Sequence, residues 1–320
     1  MRRTRRQGEG RGGGAGEATG GSGEARRVEL LTMREAVERY VRPGQWTYIG
    51  NFGSLNFSFG HEIIRRGVRG LWVVMSGGGI LLDQLVGAGA VERVVVAHVW
   101  NVVGPCPAYN WRRWTEGGIE EGQVTELSLG SLNLALLAGA YGLPFVPVTG
   151  LSGTSYPAVL GAEWYRQVVD PFSAEQVGAL APLRPALGVI HAQQVDEYGN
   201  ARVLGPRGEV AFAAMASEKV LIVAEELVGH EVVRERPWET VVPGQLVVGI
   251  VVEPWAAHPE GVYGYYDRDV EHFRLYGEMS RTEEGFRAYL EKFVTGVEDR
   301  AEYLRTLERE GLWSPERLRL

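Results

Sequence analysis

The chain has 320 residues with 33 Lys and Arg against 40 Asp and Glu, a formal net charge of -7, so nucleic acid is not expected as a main partner. Hydrophobic residues make up 45% and charged residues 23%, as in a soluble globular chain with enough material for a large α/β core. No apolar run approaches the ~20 residues of a membrane span, and a single cysteine excludes an internal disulfide or a cysteine-based metal site, which points to a reducing, cytoplasmic setting.

Residues 1–27 carry Gly, Arg, Ser and Glu and no large apolar side chain after Met1, so they read as a disordered Gly/Arg-rich tail. One domain is expected over 28–320. Thr32 and Glu35 form a capping box ahead of Ala36, Val37 and Tyr40, and Pro43-Gly44 ends that helix. Residues 46–49 read as a strand opening into Gly50-Asn51-Phe52-Gly53, and 58–66 as a helix closed by Gly67. A buried strand at 71–75 runs into Ser76-Gly77-Gly78-Gly79. A helix near 81–86, a turn at 87–89 and a strand at 94–99 follow. Cys106, within Gly104-Pro105-Cys106-Pro107, is either a small residue packed in a turn or a reactive thiol.

The second half repeats the rhythm, with a helix at 131–141 ended by Gly142 and a strand at 145–148. Residues 187–192, 220–224 and 246–252 are nearly continuous apolar runs, as in parallel strands covered on both faces. Residues 281–309 read as polar, amphipathic helix. Strands alternating with helices predict an α/β fold with an open, largely parallel sheet flanked by helices.

Ligands of such sheets bind beyond the carboxyl ends of the strands. The loops Gly50-Asn51-Phe52-Gly53 and Ser76-Gly77-Gly78-Gly79 fit that place, either as anion-binding backbone or as plain tight turns. Neither matches the dinucleotide or P-loop pattern. Gln193 and Gln194 lie where an apolar strand enters a polar turn closed by Gly199-Asn200. Glu225 and Glu226 end another apolar strand, as nucleophile, base or helix cap. His258 lies between Pro254 and Pro259 in an aromatic-rich loop, a candidate catalytic group. The six histidines show no metal-ligand spacing, and no metal is expected. The stretch from Gly150 to Ser155 differs in order from a nucleophile elbow and reads as a flexible loop.

In sequence order these segments resemble the alpha subunit of family I coenzyme A transferases, the glutaconate type in particular. The resemblance is carried by Ala36-Val37-Glu38-Arg39-Tyr40-Val41, the two glycine loops, Glu62-Ile63-Ile64-Arg65-Arg66-Gly67 and Asp83-Gln84-Leu85-Val86-Gly87-Ala88-Gly89. Further on it rests on Gly142-Leu143-Pro144-Phe145-Val146-Pro147-Val148, Ile190-His191-Ala192-Gln193-Gln194, Glu225-Glu226-Leu227, Ala257-His258-Pro259 and Tyr263-Gly264-Tyr265-Tyr266-Asp267.

The resemblance implies the α/β fold shared with sugar-phosphate isomerases and a beta subunit of similar fold, with the active site between the two chains. It implies a nucleophilic glutamate on that beta subunit, which passes through an acyl anhydride to a glutamyl–coenzyme A thioester. Coenzyme A is then a substrate, and no permanently bound cofactor is implied. In this chain Gly50, Asn51, Phe52, Gly53, Ser76, Gly77, Gly78, Gly79, Gln193, Gln194 and His258 become candidate substrate contacts. Glu225, Glu226, Glu126 and His258 stand as candidate catalytic groups. Glutaconate-type alpha subunits carry an Arg and a Pro soon after the first glycine loop. Here that stretch reads Ser54-Leu55-Asn56-Phe57-Ser58-Phe59, from which a less polar acyl group is expected. A related two-subunit hydrolase, which opens rings in steroid-derived acyl-CoA, carries its catalytic glutamate on the alpha-type chain, and Glu126 is the nearest acid to that place. A non-catalytic ligand-sensing domain is a third reading.

Overall fold

Seven parallel strands build the central sheet: β1 Trp46–Tyr48, β2 Leu71–Gly77, β3 Val91–His98, β4 Val124–Glu126, β5 Leu187–Val195, β6 Lys219–Leu227 and β7 Val247–Val252. Across the sheet they run β4-β3-β2-β1-β5-β6-β7. Two short antiparallel strands, Ala201–Arg202 and Thr240–Val242, extend it beside the end of β5. The computed structural model describes residues 26–51, 54–104 and 107–318, so the expectations for 1–25, Phe52, Gly53 and Cys106 lie outside the described residues. Among the described residues no helix is long and apolar enough to cross a membrane.

The strands are apolar on both sides because both sides are covered. Val73, Met75, Val94 and Val96 enter one core, and Val74 and Val95 enter the other. Each such fully buried side chain contributes roughly 1.5–3 kcal/mol relative to exposure. The first core is roofed by helices Met33–Tyr40, Phe57–Arg65 and Gly79–Gly87 and by the C-terminal helices Val270–Met279, Glu283–Leu290 and Arg300–Arg309. The second is roofed by helices Leu129–Ala140 and Val210–Ala216 and by a three-stranded antiparallel sheet. The expected capping box is present: Thr32 Oγ1 accepts from the Glu35 N–H at 3.2 Å, and Glu35 Oε2 accepts from the Thr32 N–H at 2.9 Å.

Two expectations change. The strand expected at 145–148 is Val146–Val148 and belongs to the small antiparallel sheet, pairing with Gln176–Leu180. Pro147 offers no N–H, which suits an edge strand. The helix expected over 281–309 is two helices with a π turn at Glu291–Thr295 between them. Asp299 restarts the second by accepting from the Glu302 N–H at 2.8 Å.

The strand order reverses between β1 and β5. From β1 the chain moves outward through β2, β3 and β4, then returns to β5 and moves outward the other way. Connections leaving β1 and β5 therefore diverge, and a crevice forms beyond their carboxyl ends.

Candidate active site at the switch point

Gly50-Asn51 of the first glycine loop and Ser76-Gly77-Gly78-Gly79 follow β1 and β2 at that end of the sheet. Gly50, at φ 93°, opens the two-residue strand Gly50–Asn51, which pairs with Ser54–Leu55 and lies against β2 and β5. β2 delivers Ser76 and Gly77, and the helix Gly79–Gly87 begins two residues on. A Cβ on Gly78 would come within 2.6 Å of Leu82 Cδ2 and 3.1 Å of Val99 Cγ2, so any other residue here would have to displace those side chains. The Gly78 N–H donates to the His98 carbonyl at 3.0 Å and ties the loop to β3. The first N–H groups of the helix have no acceptor within it and carry the positive end of its dipole.

Beneath these loops lies a carboxylate that sequence reasoning missed. Glu209 is 2% exposed; its Oε1 accepts from the Tyr48 hydroxyl at 3.2 Å and also from the Ser76 hydroxyl. Burial first, and then the Glu209 charge, push the Tyr48 phenol well above its ordinary range, so it stays a donor. Glu209 thus fixes the ends of β1 and β2 together. Glu209 precedes the helix Val210–Ala216 without capping it.

The carboxyl ends of β5 and β6 carry the other candidates. Gln193 is buried and donates to the carbonyls of Leu204 at 3.1 Å and Tyr263 at 3.2 Å, while its Oε1 accepts from the Leu204 N–H at 3.0 Å. Its amide holds two loops in place. Gln194 is half-buried and donates to Glu226 Oε2 at 3.2 Å. Glu226 is exposed and also accepts from the Tyr265 hydroxyl at 2.8 Å.

Glu225 and His258 are each enclosed by hydrogen-bond partners. Glu225 is buried; Oε1 engages His191 Nε2 at 2.8 Å and the Tyr266 hydroxyl at 2.6 Å, and Oε2 accepts from the Trp255 N–H at 2.5 Å. It anchors the loop after β7 instead of presenting a free nucleophile. His258 is 0% exposed, with Nδ1 at 3.0 Å from the Tyr303 hydroxyl and Nε2 at 3.1 Å from Asp269 Oδ2. Burial lowers its pKa to about 4, so near neutral pH it is an uncharged interior link. Glu126 ends β4, is exposed, and stands near His98, whose proton affinity burial lowers and Glu126 partly restores.

A family model described as coenzyme A transferase matches residues 30–253. An uncharacterized protein of Archaeoglobus fulgidus is 36% identical over 280 residues, 86% of this chain and 61% of that one, so the chain spans under two thirds of that relative. The A-type subunit of 3-oxoadipate CoA-transferase from Pseudomonas knackmussii is 30% identical, with 86% of this chain and 97% of that one covered. A cholesterol ring-cleaving hydrolase subunit of Mycobacterium tuberculosis is 30% identical, covering 81% of this chain and 90% of its own. The crystal structure of glutaconate coenzyme A-transferase from Acidaminococcus fermentans superposes with a TM-score of 0.80 at 27% identity, over 89% of this chain and 94% of that one. With a family model across most of its length and a 30% identical A-type transferase chain covered nearly end to end, the chain belongs to the coenzyme A transferase family.

Proposed function

We propose that the chain is the A-type half of a heteromeric enzyme that moves coenzyme A from an acyl-CoA to a carboxylic acid. The observation that carries this reading is the buried glycine loop Ser76-Gly77-Gly78-Gly79 leading into a helix start at a topological switch point. Acyl transfer passes through tetrahedral oxyanions, and aligned backbone donors stabilise these by about 2.7–4 kcal/mol each. Glu209 and Glu225, two of the buried carboxylates at this end of the sheet, are spent on internal hydrogen bonds. A nucleophilic carboxylate supplied by a B-type partner fits that arrangement. It attacks the thioester carbonyl, the coenzyme A thiolate leaves, and the thiolate then attacks the glutamyl carbonyl of the anhydride, releasing the acyl group as its acid. Exposed apolar groups including Leu129, Leu134, Tyr141 and Phe145 support work in an assembly. A less polar acyl group remains our reading of the stretch after the first glycine loop.

Glu126 supports a second reading, thioester or ring hydrolysis, because it is an exposed carboxylate at a strand end beside His98. Coenzyme A exchange between an acyl-CoA and a free acid, measured on the chain alone and mixed with a B-type chain from the same source, separates them. Exchange only in the mixture, retained in Glu126→Gln, is the expected result. Thioester loss without an acceptor that disappears in Glu126→Gln would establish the hydrolase, and full turnover by the chain alone would overturn the first reading.

A further inference from the structure

The three-stranded antiparallel sheet that roofs the second core leaves one edge and one tip open. Its edge strand, Tyr165–Val169, pairs only with Gln176–Leu180 among the described residues, and a turn at 170–175 joins the two. The Trp164 carbonyl and the Asp170 N–H both point toward that neighbour, meeting the Ala181 N–H at 2.9 Å and the Glu175 carbonyl at 2.8 Å. Backbone groups alternate sides along a strand, so those of Gln167 and Val169, and the Tyr165 carbonyl, face outward. Such a row is a template for another strand. At the tip the Phe172 side chain is 98% exposed. The turn beneath it is fixed. Asp170 Oδ1 accepts from the Phe172 N–H at 3.0 Å, Oδ2 accepts from the Ser173 hydroxyl at 2.6 Å, and the Ala174 N–H donates to the Asp170 carbonyl at 2.9 Å. An aromatic ring held out on a fixed turn loses little freedom on docking.

A cavity of about 240 Å³ lies at the root of the same sheet, walled by Pro144, Phe145, Trp164, Tyr165, Val168 and Ala179. Its rim is basic. Arg166 lines it and is exposed, and Arg184 donates to the Leu143 carbonyl beside Pro144 at 2.9 Å. The lining acid Glu163 is paired with Arg93 at 3.2 Å. The tip is acidic, with Asp170 and Glu175 and no basic residue from 170 to 175. The hydrogen bond from Ser173 first, and then that from the Phe172 N–H, hold the Asp170 carboxyl below its ordinary pKa, so it stays ionised. An apolar knob between acids and an apolar hole with a basic rim, on one chain, are self-complementary, as a two-fold interface requires. Antiparallel pairing of two such edges about Gln167 suits the outward groups: Gln167 faces its own copy, Tyr165 faces Val169, and Asp170 lies diagonal to Arg166. The same register carries Phe172 to the level of Ala162, which also lines the cavity.

We propose that this edge joins two copies of the chain, each Phe172 entering the other copy's cavity. The pairing holds whatever reaction the assembly catalyses. Analytical ultracentrifugation of the full chain, alone and mixed with its B-type partner, tests it. The wild type alone is expected to be a dimer. Phe172→Ser alters an exposed side chain, so it is expected to keep the wild-type circular dichroism spectrum and to raise the dimer dissociation constant about tenfold or more. Directly opposed, hydrogen-bonded strand residues have Cα atoms about 5.5 Å apart, within disulfide range. In a Cys106→Ser background, Gln167→Cys is therefore expected to link two copies under oxidation in both samples. Val159→Cys, exposed but away from the axis, is expected to stay unlinked. A monomeric wild type, a dimer unchanged by Phe172→Ser, or a Gln167→Cys chain that stays unlinked overturns the proposal. If the B-type partner dissolves the dimer and Phe172→Ser weakens that partner's binding, the hairpin belongs to the B-type chain and the proposal is equally overturned.

Discussion

Glu225 and Glu226 are neighbours in sequence with opposite duties. Successive strand residues point to opposite faces, so Glu225 follows Val223 toward the first core while Glu226 turns outward to Gln194 and Tyr265. Replacing Glu225 with Ala leaves the His191, Tyr266 and Trp255 donors without their buried acceptor, and is expected to cost about 3–5 kcal/mol. Glu226→Ala is expected to leave the urea midpoint nearly unchanged. Urea titration of both variants checks this, and equal losses would show that the inward–outward assignment is wrong. The pair was visible in the sequence as two acids ending an apolar run; which one faces inward depends on neighbouring strands that the sequence does not place. Glu209 was less legible still. Its partners Tyr48 and Ser76 lie 161 and 133 positions away, and nothing local marks a carboxylate that reaches past its own helix.

At the scale of elements, legibility followed how far an element's character is set by its own residues. The valine-rich strands β2, β5, β6 and β7 were readable because burial on both faces leaves a continuous apolar run. Two-residue strands such as Ala201–Arg202 were not, because pairing with β5 and with the distant Thr240–Val242 makes them strands. The helix Leu129–Ala140 was readable from its composition, yet its packing reverses an intrinsic rule. An interior Gly→Ala change in a helix ordinarily stabilises by roughly 1 kcal/mol. Gly139 lies against the backbone of Leu183, whose N–H donates to the Ala135 carbonyl at 2.9 Å, and a Cβ at 139 would collide with the Leu183 carbonyl oxygen. Gly139→Ala is therefore expected to destabilise by about 1–3 kcal/mol. A thermal melt decides it by sign alone, since a raised midpoint would mean the helix and the Leu183 segment separate freely.

For the whole molecule, one buried polar network joins helices Phe57–Arg65 and Gly79–Gly87 to the C-terminal helices. His61 meets Gln84 at 2.9 Å, and Gln84 donates to the Tyr289 hydroxyl at 3.3 Å. Tyr289 meets His272 at 2.8 Å, and His258 joins Tyr303 and Asp269. The helices carrying His272, Tyr289 and Tyr303 lie beyond the matched family segment at 30–253, so this network fastens a C-terminal cap to the sheet layer of that segment. Burial lowers His258 from 6.5 to about 4 and His272 from 6.5 to about 3. The unfolded chain therefore binds these protons first, and most of the stability is lost as pH falls from 6.5 toward 4, the slope fading as pH rises above 7. His258 alone accounts for about 3 kcal/mol across that window at 1.36 kcal/mol per unit. Asp83 and Glu253, raised by burial, act in the opposite sense, so the His258 contribution is read from the difference between variant and wild type. His258→Asn is expected to be less stable than the wild type at pH 7, because it strands the Asp269 and Tyr303 groups, and to lose less on acidification. Urea midpoints measured from pH 7.5 to 4.5 check both effects. A variant that keeps the full wild-type slope would show that acid lability arises elsewhere and that protonation of His258 does not loosen the cap.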